Sequence, residues 1–201
     1  MESTNSKKLV VLALILAIGG VIAFIAHGRR APKQVDLLGD NVPAVLAEEA
    51  AKLLNPQGQV VVVALEASAV PGVPSRLDIF RQHLKQLKAA TIVGVETIPP
   101  QVLTGIPAAV YFETLKKFPE ADVLVSFIGP PELTDADQAR LGQKLPKVVA
   151  FSQSPINAGA LFQRGALSVL IMPRASRSKV AVAQFKTARE KFDHNYEIVT
   201  H

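Results

Sequence analysis

The chain contains no cysteine. Disulfides, thiolate nucleophiles and cysteine-ligated metals are excluded together. Tryptophan is also absent, and no basic stripe is interleaved with aromatics, so nucleic acid is not an expected partner. The histidines are four and scattered: His27, His83, His194 and His201. A metal needs clustered ligands, so no metal is expected. Glycine is missing where phosphate binding would need it. The junction Glu66-Ala-Ser-Ala-Val-Pro-Gly-Val-Pro74 matches neither G-x-G-x-x-G nor G-x-x-x-x-G-K-[ST]. Flavin, dinucleotide and nucleotide cofactors are therefore not expected. Ser154 has no G-x-S-x-G around it and no histidine partner, and no catalytic residue is assigned.

The formal charge of +5 is concentrated at one end. Lys7, Lys8, Arg29, Arg30 and Lys33 account for five of the 22 basic residues, and residues 34–201 hold 17 basic against 16 acidic side chains. Between those five lies Leu9–Ala26, 18 residues without a charge. As a helix it would be about 27 Å long, close to the hydrocarbon thickness of a bilayer. It exceeds the usual length of a cleaved leader's apolar region, so a single-pass helix over 9–27 in contact with lipid is expected, its basic flanks facing head groups. The lysines and arginines are nearly balanced across the segment and leave its orientation open.

The centre of the remaining chain is Gln59-Val-Val-Val-Val-Ala-Leu65, an apolar run rich in β-branched residues. A strand exposed on one face would alternate apolar and polar residues. This one reads instead as the middle of a parallel sheet covered on both sides. Around it the pattern predicts helices at Pro43–Leu54, Arg76–Ala90 (capped by Ser75), Pro107–Phe118, Asp135–Leu145 (capped by Thr134), Asn157–Arg164 (closed by Gly165), and from Ser176 or Ser178 to Phe192. Further strands are predicted at Thr91–Ile98, Asp122–Ile128, Lys147–Phe151 and Leu167–Met172, with Tyr196–Thr200 as a possible edge strand. Strands alternating with helices imply a three-layer α/β fold: a parallel five-stranded sheet of order 2-1-3-4-5, helices on both faces, preceded by one transmembrane helix. The expected organisation is a tail at 1–8, the span at 9–27, a juxtamembrane linker at 28–42 and the α/β domain at 43–201.

In an open α/β sheet, ligands bind beyond the carboxyl ends of the strands. The candidates arriving there are Glu66, Glu96, Ser152, Gln153 and Asn157. Glu66 and Glu96, from neighbouring strands, could face each other as paired carboxylates, although such residues more often cap a helix or sit in solvent.

Several stretches resemble the C-terminal lobe of type I periplasmic sugar-binding proteins. They are Ala47-Glu-Glu-Ala-Ala-Lys-Leu-Leu followed by Gly58-Gln-Val-Val-Val-Val, Ser75-Arg-Leu-Asp-Ile-Phe-Arg-Gln-His-Leu, Leu115-Lys-Lys-Phe-Pro-Glu-Ala-Asp-Val-Leu-Val, Pro146-Lys-Val-Val-Ala-Phe, and Gln163-Arg-Gly-Ala-Leu-Ser-Val-Leu. The resemblance covers roughly residues 44–173 and implies an extracytoplasmic domain. It also implies acidic and amide groups at the ends of the third and fourth strands. Here those ends read Ser126-Phe-Ile-Gly-Pro-Pro131 and Ala150-Phe-Ser-Gln153. The expected function is thus a non-enzymatic, membrane-anchored accessory or docking subunit working with other membrane-protein subunits. The alternative is a tethered binding module for a sugar or small polar solute.

Overall fold

The structure, a computed structural model, describes residues 41–54, 58–66, 73–88, 90–99, 104–139, 141, 145–175 and 185–200. The expected tail, the span at 9–27 and all but the last two linker residues lie outside them. Among the described residues no helix is long and apolar enough to cross a membrane.

The elements in chain order are α1 (Val42–Leu53), β1 (Gly58–Leu65), α2 (Val73–Gln86), β2 (Ala90–Ile98), β3 (Ile106–Pro107), α3 (Ala108–Lys117), β4 (Val123–Ser126), β5 (Pro131–Glu132), α4 (Asp135–Ala139), β6 (Lys147–Phe151), α5 (Gly159–Gln163), β7 (Val169–Pro173), α6 (Ala188–Asn195) and β8 (Tyr196–Thr200). The main sheet runs β2-β1-β4-β6-β7-β8. Its first five strands are parallel and stand in the expected 2-1-3-4-5 order. The strand count differs from expectation. Tyr196–Thr200 pairs antiparallel with β7 and makes six strands, and β3 pairs with β5 in a separate two-stranded sheet.

β1 is buried at every position except Gln59. Its pleat divides the core in two, because successive side chains point to opposite faces. Val60, Val62 and Ala64 pack with Leu46 of α1, Phe80 and Leu84 of α2 and Phe192 of α6. Val61, Val63 and Leu65 pack with Tyr111 of α3 and Phe162 of α5. Each layer thus seals one side of a strand that has no polar face to offer water. Beside it, β2 carries a bulge. Val60 pairs with Ile92 and Val61 with Gly94, so Val93 is left over and exposed. Such an extra residue interrupts an otherwise continuous outer edge.

Several local expectations need correction. Helix α2 starts at Val73 and stops at Gln86, so Ser75 lies inside it and Ala90 belongs to β2. The last helix ends at Asn195, and its cap is Thr187, whose hydroxyl oxygen accepts from the Glu190 N–H at 3.1 Å. Ser176 and Ser178 lie outside the described residues. Helix α4 is only five residues long, although Thr134 caps it as expected, accepting from the Asp137 N–H at 3.1 Å. Within the helix predicted over Pro43–Leu54, the acidic Glu49 is buried and held by Lys52 at 2.6 Å. A 3.6-residue repeat places neighbours about 100° apart, so α1, packed on α2, β4, β6 and β7, takes Glu49 inward while Glu48 reaches Arg189 of α6.

Candidate functional site

Five parallel strands deliver their carboxyl ends to one side of the sheet, and a small cavity opens there. Ala64 and Leu65 come from β1, Arg76 and Leu77 from the second turn of α2, Phe127 and Ile128 from the chain leaving β4, and Gln153 from the chain leaving β6. Local bonding fixes each wall. The Phe127 N–H donates to the Val63 carbonyl at 3.0 Å, and its ring meets Phe80 edge-on, 5.8 Å between centroids. The Arg76 guanidinium lies over the Phe151 ring, 5.9 Å from its centroid. The cavity leaves about 20 Å³ for the centre of a water-sized sphere. That is room for roughly one water, not for a sugar.

The expected residues are placed as follows. Gln153 is exposed and lines the cavity. Glu66 is exposed one residue beyond β1, its N–H bonded to the Ile98 carbonyl at 3.0 Å. Glu96 lies inside β2 opposite Val63, and its carboxylate is ion-paired with Lys117 at the end of α3. The two glutamates are therefore not brought together as a pair. Ser152 is 3% exposed. Its hydroxyl donates to the Ser154 carbonyl at 2.7 Å and accepts from the Ser154 N–H at 3.3 Å. Asn157 Oδ1 accepts from the Gly159 N–H at 3.2 Å, at the start of α5. At the end of β4, the fully buried Ser126 hydroxyl donates to the Gly129 carbonyl at 2.5 Å. The polar side chains at these strand ends mostly hold their own loops.

Arg76, Leu77, Phe127 and Ile128 were not among the sequence candidates. A signal for Arg76 existed: it is the only charged residue between Glu66 and Asp78, in the first connection of the sheet. Among the described residues no group of three or more histidines or carboxylates is placed to hold a metal.

The two-stranded sheet stiffens the same end of the molecule. The Ile106 N–H donates to the Pro130 carbonyl at 3.0 Å, and the Thr104 hydroxyl to Glu132 Oε1 at 2.5 Å. Gly129 sits at φ +125°, and a Cβ there would strike the Thr104 carbonyl. The connections leaving β2 and β4 are thereby tied to each other.

No family model and no curated protein sequence matches the chain. Solved structures do. An ABC transporter solute-binding protein from Burkholderia graminis, in complex with D-arabinose, aligns with a TM-score of 0.52 at 17% identity, over 79% of this chain and 58% of its own. A solute-binding protein from Burkholderia multivorans gives 0.52 at 18% identity over 81% and 59%. AraP, an arabinose-binding protein from Geobacillus stearothermophilus, gives 0.51 at 16% over 79% and 59%. The likeness is one of fold: the chain is built like a single lobe of these sugar-transporter binding proteins and spans less than two thirds of their length.

Proposed function

We propose that this chain is a non-enzymatic solute-binding lobe. It takes a sugar or small polar solute at the carboxyl ends of β1, β4 and β6, outside a membrane to which residues 9–27 attach it through the linker 28–42. One observation carries this reading: the cavity at those strand ends combines a guanidinium, an amide and apolar walls. Polar groups that orient a ligand, set among apolar walls, are what small-molecule sites require. The solved structures of like fold bind sugars, which supports the same choice. Because the cavity is so small, the lobe supplies half a site, and a second lobe or second copy would close over the ligand. A thermal-shift screen of the full-length chain in mild detergent tests this. A true ligand at a hundred times its Kd stabilises by about 2.7 kcal/mol. No response to any sugar or polar solute would count against the reading.

A second reading has its own support. Ser126, Ser152 and Asn157 bond within their loops, and β3 and β5 tie the connections leaving β2 and β4 to each other. Rigid loops offer contact surface at low ordering cost. On this reading the domain docks other membrane-protein subunits. Co-purification from mild detergent distinguishes it, since a chain that always elutes alone would not be such a subunit.

A further inference from the structure

Among the described residues three large apolar side chains are exposed: Ile79 at 41%, Leu87 at 45% and Val93 at 37%. All three fall in the stretch 79–95, which carries Arg81, Lys85 and Lys88 and no acidic residue. The stretch forms the second half of α2, the turn after it and most of β2, the strand at the open edge of the sheet. Arg81 is paired with Asp78 at 3.4 Å. Lys85 and Lys88 are exposed, and among the described residues neither has an ion-pair partner. Helices α3 and α6 instead mix signs on their exposed faces, Glu113 with Lys116 and Arg189 with Asp193. An open groove between α2 and β2 runs beside Lys85, with Leu84, Ala90 and Ile92 in its walls.

We propose that this side of the domain, α2 with the edge strand β2, docks on an anionic phospholipid surface. Nothing in it depends on the solute; from the proposed function it takes only the anchor over 9–27. Interfacial binding grows with the apolar area that enters the head-group layer and with attraction to anionic lipid. Leu87 and Val93 supply the first, and Lys85 and Lys88 the second. Lysine suits that layer, because its stem lies along apolar surface while its ammonium stays among the phosphates. Two lysines and three apolar side chains make a weak site alone, but a tether holds it at high effective concentration. The segment 28–40 that precedes α1 reaches at most about 45 Å when extended. Helix α2 is 14 residues long, or about 21 Å, so such a tether lets the whole helix reach lipid. A second copy paired along β2 fits this edge less well. The extra residue Val93 breaks the ladder that strand pairing would extend, and lysines beside an edge deter such pairing.

The chain has no cysteine, so Gln86→Cys, exposed at the end of α2, takes a polarity-sensitive thiol probe at one place. Glu113→Cys, exposed on α3, is the control. The full-length protein is inserted into bilayer discs of phosphatidylglycerol and phosphatidylcholine at about one to two, or of phosphatidylcholine alone. With the anionic lipid the Gln86 probe should shift to the blue and be shielded from acrylamide, and the Glu113 probe should not change. Lys85→Gln and Lys88→Gln should each lower the docked-to-free ratio about fivefold, the worth of one basic residue at an anionic surface. Added salt should act in the same direction. Leu87→Ser should weaken docking while leaving its salt dependence in place. All three side chains are exposed, so these variants keep the fold. An equal response in both lipids, or one unmoved by the lysine changes, overturns the proposal. Shielding that needs no anionic lipid and grows with the number of copies per disc assigns the face to a second copy and overturns it as well. A chain that does not stay with the discs removes the anchor and the proposal together. One that stays but shows no lipid response removes the proposal alone.

Discussion

The Ser126 hydroxyl donates to the carbonyl oxygen of Gly129, three residues on, at 2.5 Å, and accepts from the Ile128 N–H at 3.3 Å. This pair shapes the turn leaving β4, and it explains why a serine ends that strand without facing a ligand. Gly129 adopts φ +125°, where side chains are strongly disfavoured, and its missing Cβ leaves room for the Thr104 backbone. Gly129→Ala should therefore destabilise the domain by about 2–3 kcal/mol, combining strain with a backbone clash. A fall in the urea midpoint at unchanged m-value would show it. Ser126→Ala, which leaves buried partners unsatisfied, should cost about 1–3 kcal/mol in the same assay.

Tyr111 is fully buried in α3 among Leu65, Ile98 and Ile106, and among the described residues its hydroxyl has no hydrogen-bond partner. Burial pushes its pKa from 10.0 up to about 12. The folded state thus holds the proton more tightly than the unfolded chain. The resulting stability is fully present below pH 10 and is lost as pH rises from 10 to about 12. Tyr111→Phe should be neutral or stabilising near pH 7, because it removes a polar atom without a partner. It should also flatten the alkaline decline relative to wild type. Chemical denaturation of both proteins at pH 7 to 11 measures the difference, and identical slopes would refute the assignment.

Gly94 lies beneath the Phe118 ring, and a Cβ at this position would overlap it. Gly94→Ala should cost about 1–3 kcal/mol through overpacking. The double variant Gly94→Ala, Phe118→Leu should lose less than the two single changes combined, because contacting residues couple. A double-mutant cycle in urea reads the coupling, and strict additivity would contradict the contact.

Thr187 caps α6 through the Glu190 N–H. Thr187→Ala should cost about 1 kcal/mol, and Thr187→Ser or Thr187→Asp should keep most of the stability. By contrast, removing the exposed Glu48–Arg189 pair should change stability by no more than about 1 kcal/mol. Thermal midpoints of the three cap variants and of Glu48→Gln make the comparison.

What the sequence by itself determined was the alternation of elements and the identity of the central strand. Gln59–Leu65 has no polar face, so only a sheet covered on both sides could hold it, and the parallel order followed from helices between strands. Thr134 and Gly165 were legible for similar reasons, because an N-cap hydroxyl and a left-handed C-cap are local demands; Gly165 has φ +70°. The tertiary structure alone decided what depends on partners distant in sequence. It turned Glu49 inward, brought Lys117 to Glu96, and added β8 antiparallel beside β7. It also sorted the strand-end residues, binding the Ser126, Ser152 and Asn157 side chains into their own loops while leaving Arg76 and Gln153 on the cavity wall. Composition tells which polar groups arrive at a strand end. Whether a hydroxyl faces a ligand or its own backbone is set by the turn that follows, and only the folded chain fixes that geometry.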